Sequence, residues 1–461
     1  MHPSRLFKQH PVGLYVLCAV EAAAGFALYV LGSLLLLYLI DTAKYDQETA
    51  LRWVGGYNAA CFIAPLLGGV LADAGLRFRR TVLLGAVLLM AGFLALSQLD
   101  RQPKIALTLL WLGNGLFRSN LVAMLGRLYP ANDARQDAAY RLLYAAFNVG
   151  GLIAPAIAGG LARAGRWDAA FLLAAMAMGV AVLLLFWAHP HLARADQNLD
   201  DHLPTPESPR RATRPFARWL AVWVLAQVTM LWALAYGQAD GMMLLWARDY
   251  TQRVVLGVEL APSAFAAIPP AFVLLFTLLA ALFRSPGRSV PRRVKIQTGL
   301  FATSAGFGLM VLSVPQSGHL ASAAWSLACL ALLTVGELLV VPVTQSLINR
   351  LAPHGRIGLG CAVWYAAAAL GLWLAGQLAA LSGNIPPAAF FAILALAPLT
   401  AAVLLACQRS GVRISGPCPP AALHTKPIFE AIRCAATERG PTSLCRLTEQ
   451  RSKHERSGGP R

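Results

Sequence analysis

The sequence predicts an all-α membrane protein: twelve transmembrane helices in two pseudo-symmetric six-helix bundles, with both termini in the cytoplasm. Three observations carry this. First, 57% of the 461 residues are hydrophobic and 13% charged. That is roughly half the charged share of a soluble domain, which excludes a disordered chain and argues against a large soluble enzyme. Second, twelve apolar runs punctuate the chain, each long enough for the roughly 20 residues that a spanning helix needs. Third, the loops between the runs alternate between rich and poor in Lys and Arg, the asymmetry that marks the cytoplasmic side.

The runs lie at about 11–40, 54–74, 81–99, 104–128, 138–162, 168–188, 218–247, 263–283, 294–314, 320–348, 358–382 and 387–407. Several exceed one bilayer thickness and imply tilt. They are continuous rather than alternating, which excludes a lipid-facing barrel. In lipid a helix satisfies its own backbone groups, so helix is the form these runs take. With the N-terminus inside, 30 of the 39 Lys and Arg fall in cytoplasmic segments. Eight fall outside (Lys44, Arg52, Arg101, Lys104, Arg163, Arg166, Arg248 and Arg253), and Arg118 is left within the fourth run. The net charge of +18 is therefore a matter of topology, and nucleic acid is not expected as a partner.

Residues 1–188 are read as the N-terminal bundle and 189–217, polar and Pro-rich, as a cytoplasmic linker. Residues 218–408 are read as the C-terminal bundle and 409–461 as a basic tail without an apolar run, a composition that does not fold alone. A basic turn follows the second run of each half (Arg77–Arg80 and Arg284–Lys295), as an internal two-fold repeat would place it. Five of the eight cysteines sit in apolar runs and the other three lie in the tail without a CxxC or a paired His. Neither a disulfide framework nor a metal site is expected. The run from Pro11 to Ile40 is far longer than the core of a cleavable signal.

Ionisable residues within a membrane are costly, so each is a functional candidate. Glu21, Arg118 and Glu337 lie about ten to twelve residues from the inner ends of the first, fourth and tenth runs. At 1.5 Å rise per residue they share one depth, where opposite charges can pair and a carboxylate that loses its partner can take a proton. A static ion pair joining the two halves is the bland alternative. Asp240 lies nearer the outer mouth of the seventh run, facing either the pore or the interface. Gln227, Gln238, Asn114, Asn148 and Tyr29 are candidates to line a polar cavity or to bond neighbouring helices. Trp364 is a cavity wall or core, and Asp73 with Arg79 marks a candidate cytoplasmic gate after the second run. The pairs Gly68–Gly69, Gly150–Gly151 and Gly159–Gly160 suit close helix packing. No nucleophile–base constellation, phosphate loop or HExxH is present, so an enzyme is not expected.

The run HPVGLYVLCAVEAAAGFALYVLGSLLLLYL, with PLLGGVLAD, GNGLFRSNLVAMLGRLY, LYAAFNVGGLIAP, LWALAYGQ and VGELLVVPVTQSLINRLAP after it in order, resembles the proton-dependent oligopeptide transporters, a branch of the major facilitator superfamily. The resemblance covers roughly residues 10–405. It implies a carrier that rocks between inward and outward states around a central site, without the extra helix pair that many bacterial members carry between their halves. Of the family's ExxER motif only Glu21 remains, since Ala24 and Gly25 occupy the other positions. An Arg implicated in holding the peptide carboxylate is replaced by Gly32, a Tyr by Phe62, a Glu linked to the peptide amino end by Gly237, and an Asn by Ile268. Arg118 (Lys in most members), Asn148, Glu337 and Trp364 remain.

The expected function is thus secondary active transport at the inner (plasma) membrane, with proton-coupled uptake of di- and tripeptides or related small solutes. Glu21 and Glu337 are the expected proton sites. Arg118, Asn148, Tyr29, Trp364, Gln238 and Asp240 are the expected substrate contacts, Asp240 in place of the missing Glu. No cofactor is expected beyond the coupling proton. A carrier of a less zwitterionic solute, including export of amphipathic compounds, and a non-transporting sensor signalling through its tail are the alternatives.

Overall fold

The computed structural model describes residues 10–71, 78–98, 103–130, 133, 135–192, 215–255, 257–282, 290–314, 320–351 and 357–407. Six long helices build the N-terminal half: α1 (Val12–Asp41), α2 (Gln47–Leu71), α3 (Phe78–Gln98), α4 (Pro103–Arg127), α5 (Gln136–Arg163) and α6 (Trp167–Trp187). The C-terminal half holds α7 (Pro215–Tyr236), a short α8 (Met242–Asp249), α9 (Ile268–Leu282), α10 (Arg292–Ser313), α11 (Ala323–Leu351), α12 (Ile357–Ala380) and α13 (Pro387–Cys407). Two-residue strands decorate the outer end: β1 (Thr251–Gln252) and β4 (Ala321–Ser322) pair in parallel, and β2 (Val254–Val255) and β3 (Val258–Glu259) pair antiparallel.

Ten helical segments among the described residues are long and apolar enough to cross a membrane. The remaining two of the twelve, α2 and α4, have 25 residues each but more polar side chains, because both turn a face to the interior. Large apolar side chains such as Leu183 and Phe186 stand about 70% exposed on the outside of the bundle, where lipid takes the place of a protein core. The halves repeat one packing scheme. α1 packs on α5 and α6, α3 on α4 and α6, and α2 on α4; correspondingly α7 packs on α12 and α13, α10 on α11 and α13, and α9 on α11. The tightest crossings use glycine. A Cβ on Gly25 would strike the Phe147 carbonyl, one on Gly150 the Ala22 carbonyl, and one on Gly68 the Gly115 carbonyl.

Two boundaries differ from the sequence reading. The second span begins at Gln47, not near 54, because the Asp46 carboxylate caps it (Thr49 N–H to Asp46 Oδ1, 2.8 Å); Glu48 and Arg52 then form an i,i+4 pair at 2.6 Å. The seventh span is not continuous. It breaks at Gly237–Gly241, where short-range turns replace the helical ladder (Gln238 N–H to Ala235 O, 3.2 Å; Gly241 N–H to Gln238 O, 3.2 Å). Two glycines four residues apart, Gly237 and Gly241, remove the side-chain support that would hold this stretch helical. Asp73, most of the linker and the tail lie outside the described residues.

The halves meet at the end that the charge count places outside. A Cβ on Gly376 of α12 would lie 2.7 Å from Gly55 Cα of α2. Arg52 Nη1 donates to Gln377 Oε1 at 2.7 Å, Arg248 sits 3.8 Å from Asp41, and Arg163 donates to the Glu259 carbonyl at 3.2 Å. Three of the eight outer basic residues thus bridge the halves. Further in, Phe62 of α2 faces Trp364 of α12 with ring centroids 6.3 Å apart. The molecule is closed on its outer side.

Candidate transport site

A cavity of about 260 Å³ lies between the halves beneath this outer seal. Its N-terminal wall comes from Tyr29 and Gly32 of α1, Tyr57, Asn58 and Cys61 of α2, Asn114 and Arg118 of α4, and Phe147 of α5. Its C-terminal wall comes from Tyr236 and the broken stretch with Asp240, together with Met243, Phe265, Pro269 and Leu330. The site is small and mostly apolar, and carries a cation on one half and an anion on the other.

Arg118 rests on the Phe147 ring, Cζ 4.3 Å from the centroid. Such a cation–π contact is worth about 0.5–2 kcal/mol and leaves the guanidinium donors facing the cavity. The expected pairing of Arg118 with Glu21 or Glu337 is not made, since neither forms an ion pair with it within 4 Å among the described residues. Arg118 is the charge that acts on Glu21, yet the buried Glu21 Oε2 has no hydrogen-bond partner. Glu337 instead accepts a hydrogen bond from the Tyr236 hydroxyl at 2.8 Å. Equal depth along three helices fixes only one coordinate. Rotation about each helix axis decides the pairing, and here it turns Arg118 to an aromatic face.

Tyr29 lines the same cavity as Arg118 and Asp240, and its ring packs against Phe147 at 5.6 Å. Asp240 lines the cavity and accepts a long hydrogen bond from Asn58 Nδ2 (3.4 Å), which joins the two halves. It reaches the cavity from an unwound stretch, not from the helix face expected one turn above Gly237. Gly237 itself is tightly packed: a Cβ there would meet Ala375 Cβ at 2.9 Å and Leu372 Cδ2 at 3.0 Å.

Three expected contacts point elsewhere. Gln238 is buried, and its Nε2 donates to the Ala375 carbonyl of α12 at 3.0 Å; it ties α7 to α12 and is not among the cavity-lining residues. Asn148 donates back to the Tyr144 carbonyl of its own helix at 2.9 Å. Trp364 Nε1 donates to Thr344 Oγ1 at 3.1 Å, which leaves its ring against Phe62 on the cytoplasmic side of the cavity. Arg79 lies on the first turn of α3, away from the cavity. Tyr57, Asn58 and Tyr236 line the cavity without having been singled out from the sequence. Their signal is a polar atom on an aromatic or amide side chain inside an apolar run, which also describes many ordinary interhelical bonds.

Comparison with known proteins agrees with this architecture. A family model described as "Major Facilitator Superfamily" matches residues 17–375. A peptide transporter of Yersinia enterocolitica is 27% identical, covering 81% of this chain and 88% of its own. An uncharacterised transporter of Bacillus subtilis is 25% identical over 86% of this chain and 92% of its own. Dipeptide and tripeptide permease A of Proteus mirabilis is 23% identical over 81% of this chain and 87% of its own. A crystal structure of a peptide transporter in complex with sulfate superposes with a TM-score of 0.80 at 22% identity, covering 88% of this chain and 96% of that one. With its spans, its repeated halves and its central cavity beneath an outer seal, the chain belongs to the major facilitator superfamily.

Proposed function

We propose that this chain is a secondary carrier of the inner membrane that takes up di- and tripeptides, or closely related zwitterions, with protons. The observation that carries the reading is the pair of opposite charges on the two walls of one cavity, Arg118 on the N-terminal half and Asp240 on the C-terminal half. A zwitterion with its carboxylate on Arg118 and its ammonium on Asp240 would join the halves, so its binding favours closure. Charge-assisted hydrogen bonds of this kind are worth about 1.5–3 kcal/mol each. In this proposal Glu21 and Glu337 carry the protons, and the Tyr236 hydroxyl links Glu337 to the cavity. A membrane potential of 100 mV contributes about 2.3 kcal/mol per charge moved inward. Two of the relatives are called peptide transporters or permeases by name, which supports the substrate class.

The test is uptake of labelled di-alanine into proteoliposomes with an acid-outside gradient and an inside-negative potential. Uptake that collapses with the gradient and in Glu337→Gln is the expected result. Folded protein without uptake would move the substrate to a less zwitterionic solute, for which the apolar walls at Phe147, Phe265 and Leu330 leave room. Deletion of 409–461 separates a carrier, which keeps its flux, from a sensor that signals through the tail.

A further inference from the structure

A second hollow, of about 490 Å³, opens between α2 and α4 on the outward half of the bundle. That volume lies within the range of small-ligand sites. Arg52, Thr49, Lys104 and Thr108 stand at its mouth, and Trp53, Tyr57, Ala60, Leu107 and Trp111 line its depth. Trp111 lies seven residues below Lys104 on α4, and Ala60 eight below Arg52 on α2. At 1.5 Å per residue the hollow therefore runs about 10–12 Å from a charged rim to an apolar floor. Its surroundings face lipid, because Ile105 and Leu112 of α4 and Ile63 of α2 are all exposed.

The rim charge is out of place. Outer segments are poor in Lys and Arg, yet two of the eight outer basic residues converge here. Lys104 makes no ion pair among the described residues; its Nζ lies 5.8 Å from the centre of the Trp53 ring. Arg52 is shared between Glu48 at 2.6 Å and Gln377 at 2.7 Å, so the rim keeps a net positive charge. Indole rings beside a cation at the membrane interface suit an amphiphile, and basic pockets between spanning helices recognise anionic headgroups.

We propose that this groove is a binding site for an anionic glycerophospholipid of the outer leaflet. Its phosphate sits between Lys104 and Arg52, and an acyl chain lies along Trp53, Tyr57 and Trp111. Two features give the site consequence for transport: Arg52 also bridges the halves, and Tyr57 lines both the groove and the central cavity.

Gly56 provides a clean probe, because a Cβ there meets nothing within 4 Å and enters the groove. The test is native mass spectrometry of the full chain with equimolar dioleoyl phosphatidylglycerol and dioleoyl phosphatidylcholine. The wild type should retain the anionic lipid preferentially. Lys104→Gln should weaken that retention about fivefold, the effect of one basic residue near a charged headgroup. Gly56→Leu, folded and monodisperse, should retain neither lipid at this site. Equal retention of both lipids by the wild type would overturn the proposal, as would an unchanged preference in Lys104→Gln. Displacement of the bound lipid by inorganic phosphate alone would also overturn it, by making the rim a free-anion site.

Discussion

Gly376→Ala is expected to tilt the protein toward its outward-open state. The new methyl would lie 2.7 Å from Gly55 Cα and 3.0 Å from the Leu51 carbonyl, where ordinary carbon contacts need about 3.5–4.0 Å. The seam between α2 and α12 must therefore widen by about 1 Å. Overpacking of this kind costs about 1–3 kcal/mol. In a rigid core that cost appears as lost stability. At a seam between two halves that rock, it is relieved by separating them, and the same energy shifts a two-state population about 5–150-fold. Gly25→Ala is the control, because its methyl would strike the Phe147 carbonyl inside one half and rocking brings no relief. The assay is the spin-label distance between Ala164→Cys and Asn384→Cys, both exposed at the outer end of opposite halves, in a chain whose other cysteines are replaced. The distance should lengthen in Gly376→Ala and stay unchanged in Gly25→Ala, which should lose thermal stability instead. An unchanged distance in Gly376→Ala, with a stability loss like that of the control, would refute the assignment of this seam as a moving interface.

Three further outcomes follow from particular contacts. Tyr236→Phe removes the donor to Glu337 Oε2; leaving a half-buried carboxylate short of a partner costs about 1–3 kcal/mol, so gradient-driven uptake should fall about tenfold or more while the protein remains monodisperse. Gly237→Glu, which introduces the Glu that the resemblance places there, should not rescue or improve peptide uptake and should lower the melting temperature, because its Cβ would meet Ala375 and Leu372 of α12. At the cytoplasmic end, His10 contacts the Tyr129 hydroxyl at 2.9 Å, and burial, helped by Arg135, holds its imidazole below the ordinary 6.5. A depressed value favours the neutral ring, so its contribution is complete above about pH 6.5 and fades as the pH falls. The melting-temperature gap between wild type and His10→Asn should therefore be largest at pH 7–8 and close toward pH 5, and a gap that widens on acidification would contradict this reading.

Much of this protein was legible in its sequence because the bilayer simplifies the physics. Lipid forces each long apolar run into a helix, and the distribution of 39 basic residues orients all twelve spans at once. The charged residues inside the runs, Glu21, Arg118, Asp240 and Glu337, stand out because so few are tolerated there. Glycines at close crossings are readable as packing devices, although which partner each meets is not. The break in the seventh span was missed because Gly237 and Gly241 sit within an otherwise continuous apolar run, and hydropathy averages over them.

What only the tertiary structure decided is azimuth and pairing. Depth follows from counting residues along a helix; the direction of a side chain follows from how that helix is rotated against its neighbours. Rotation sends Gln238 into α12, Asn148 onto its own backbone and Trp364 beneath Phe62, while it turns Arg118 onto Phe147 and Tyr236 onto Glu337. The same physics hides the outer seal and the groove beside it, because Arg52, Gln377 and Lys104 lie far apart along the chain and meet only when the helices pack. Composition sets what a helix is made of and which side of the membrane its ends occupy. The packing of one helix against another decides which of its residues face the cavity, the lipid or each other.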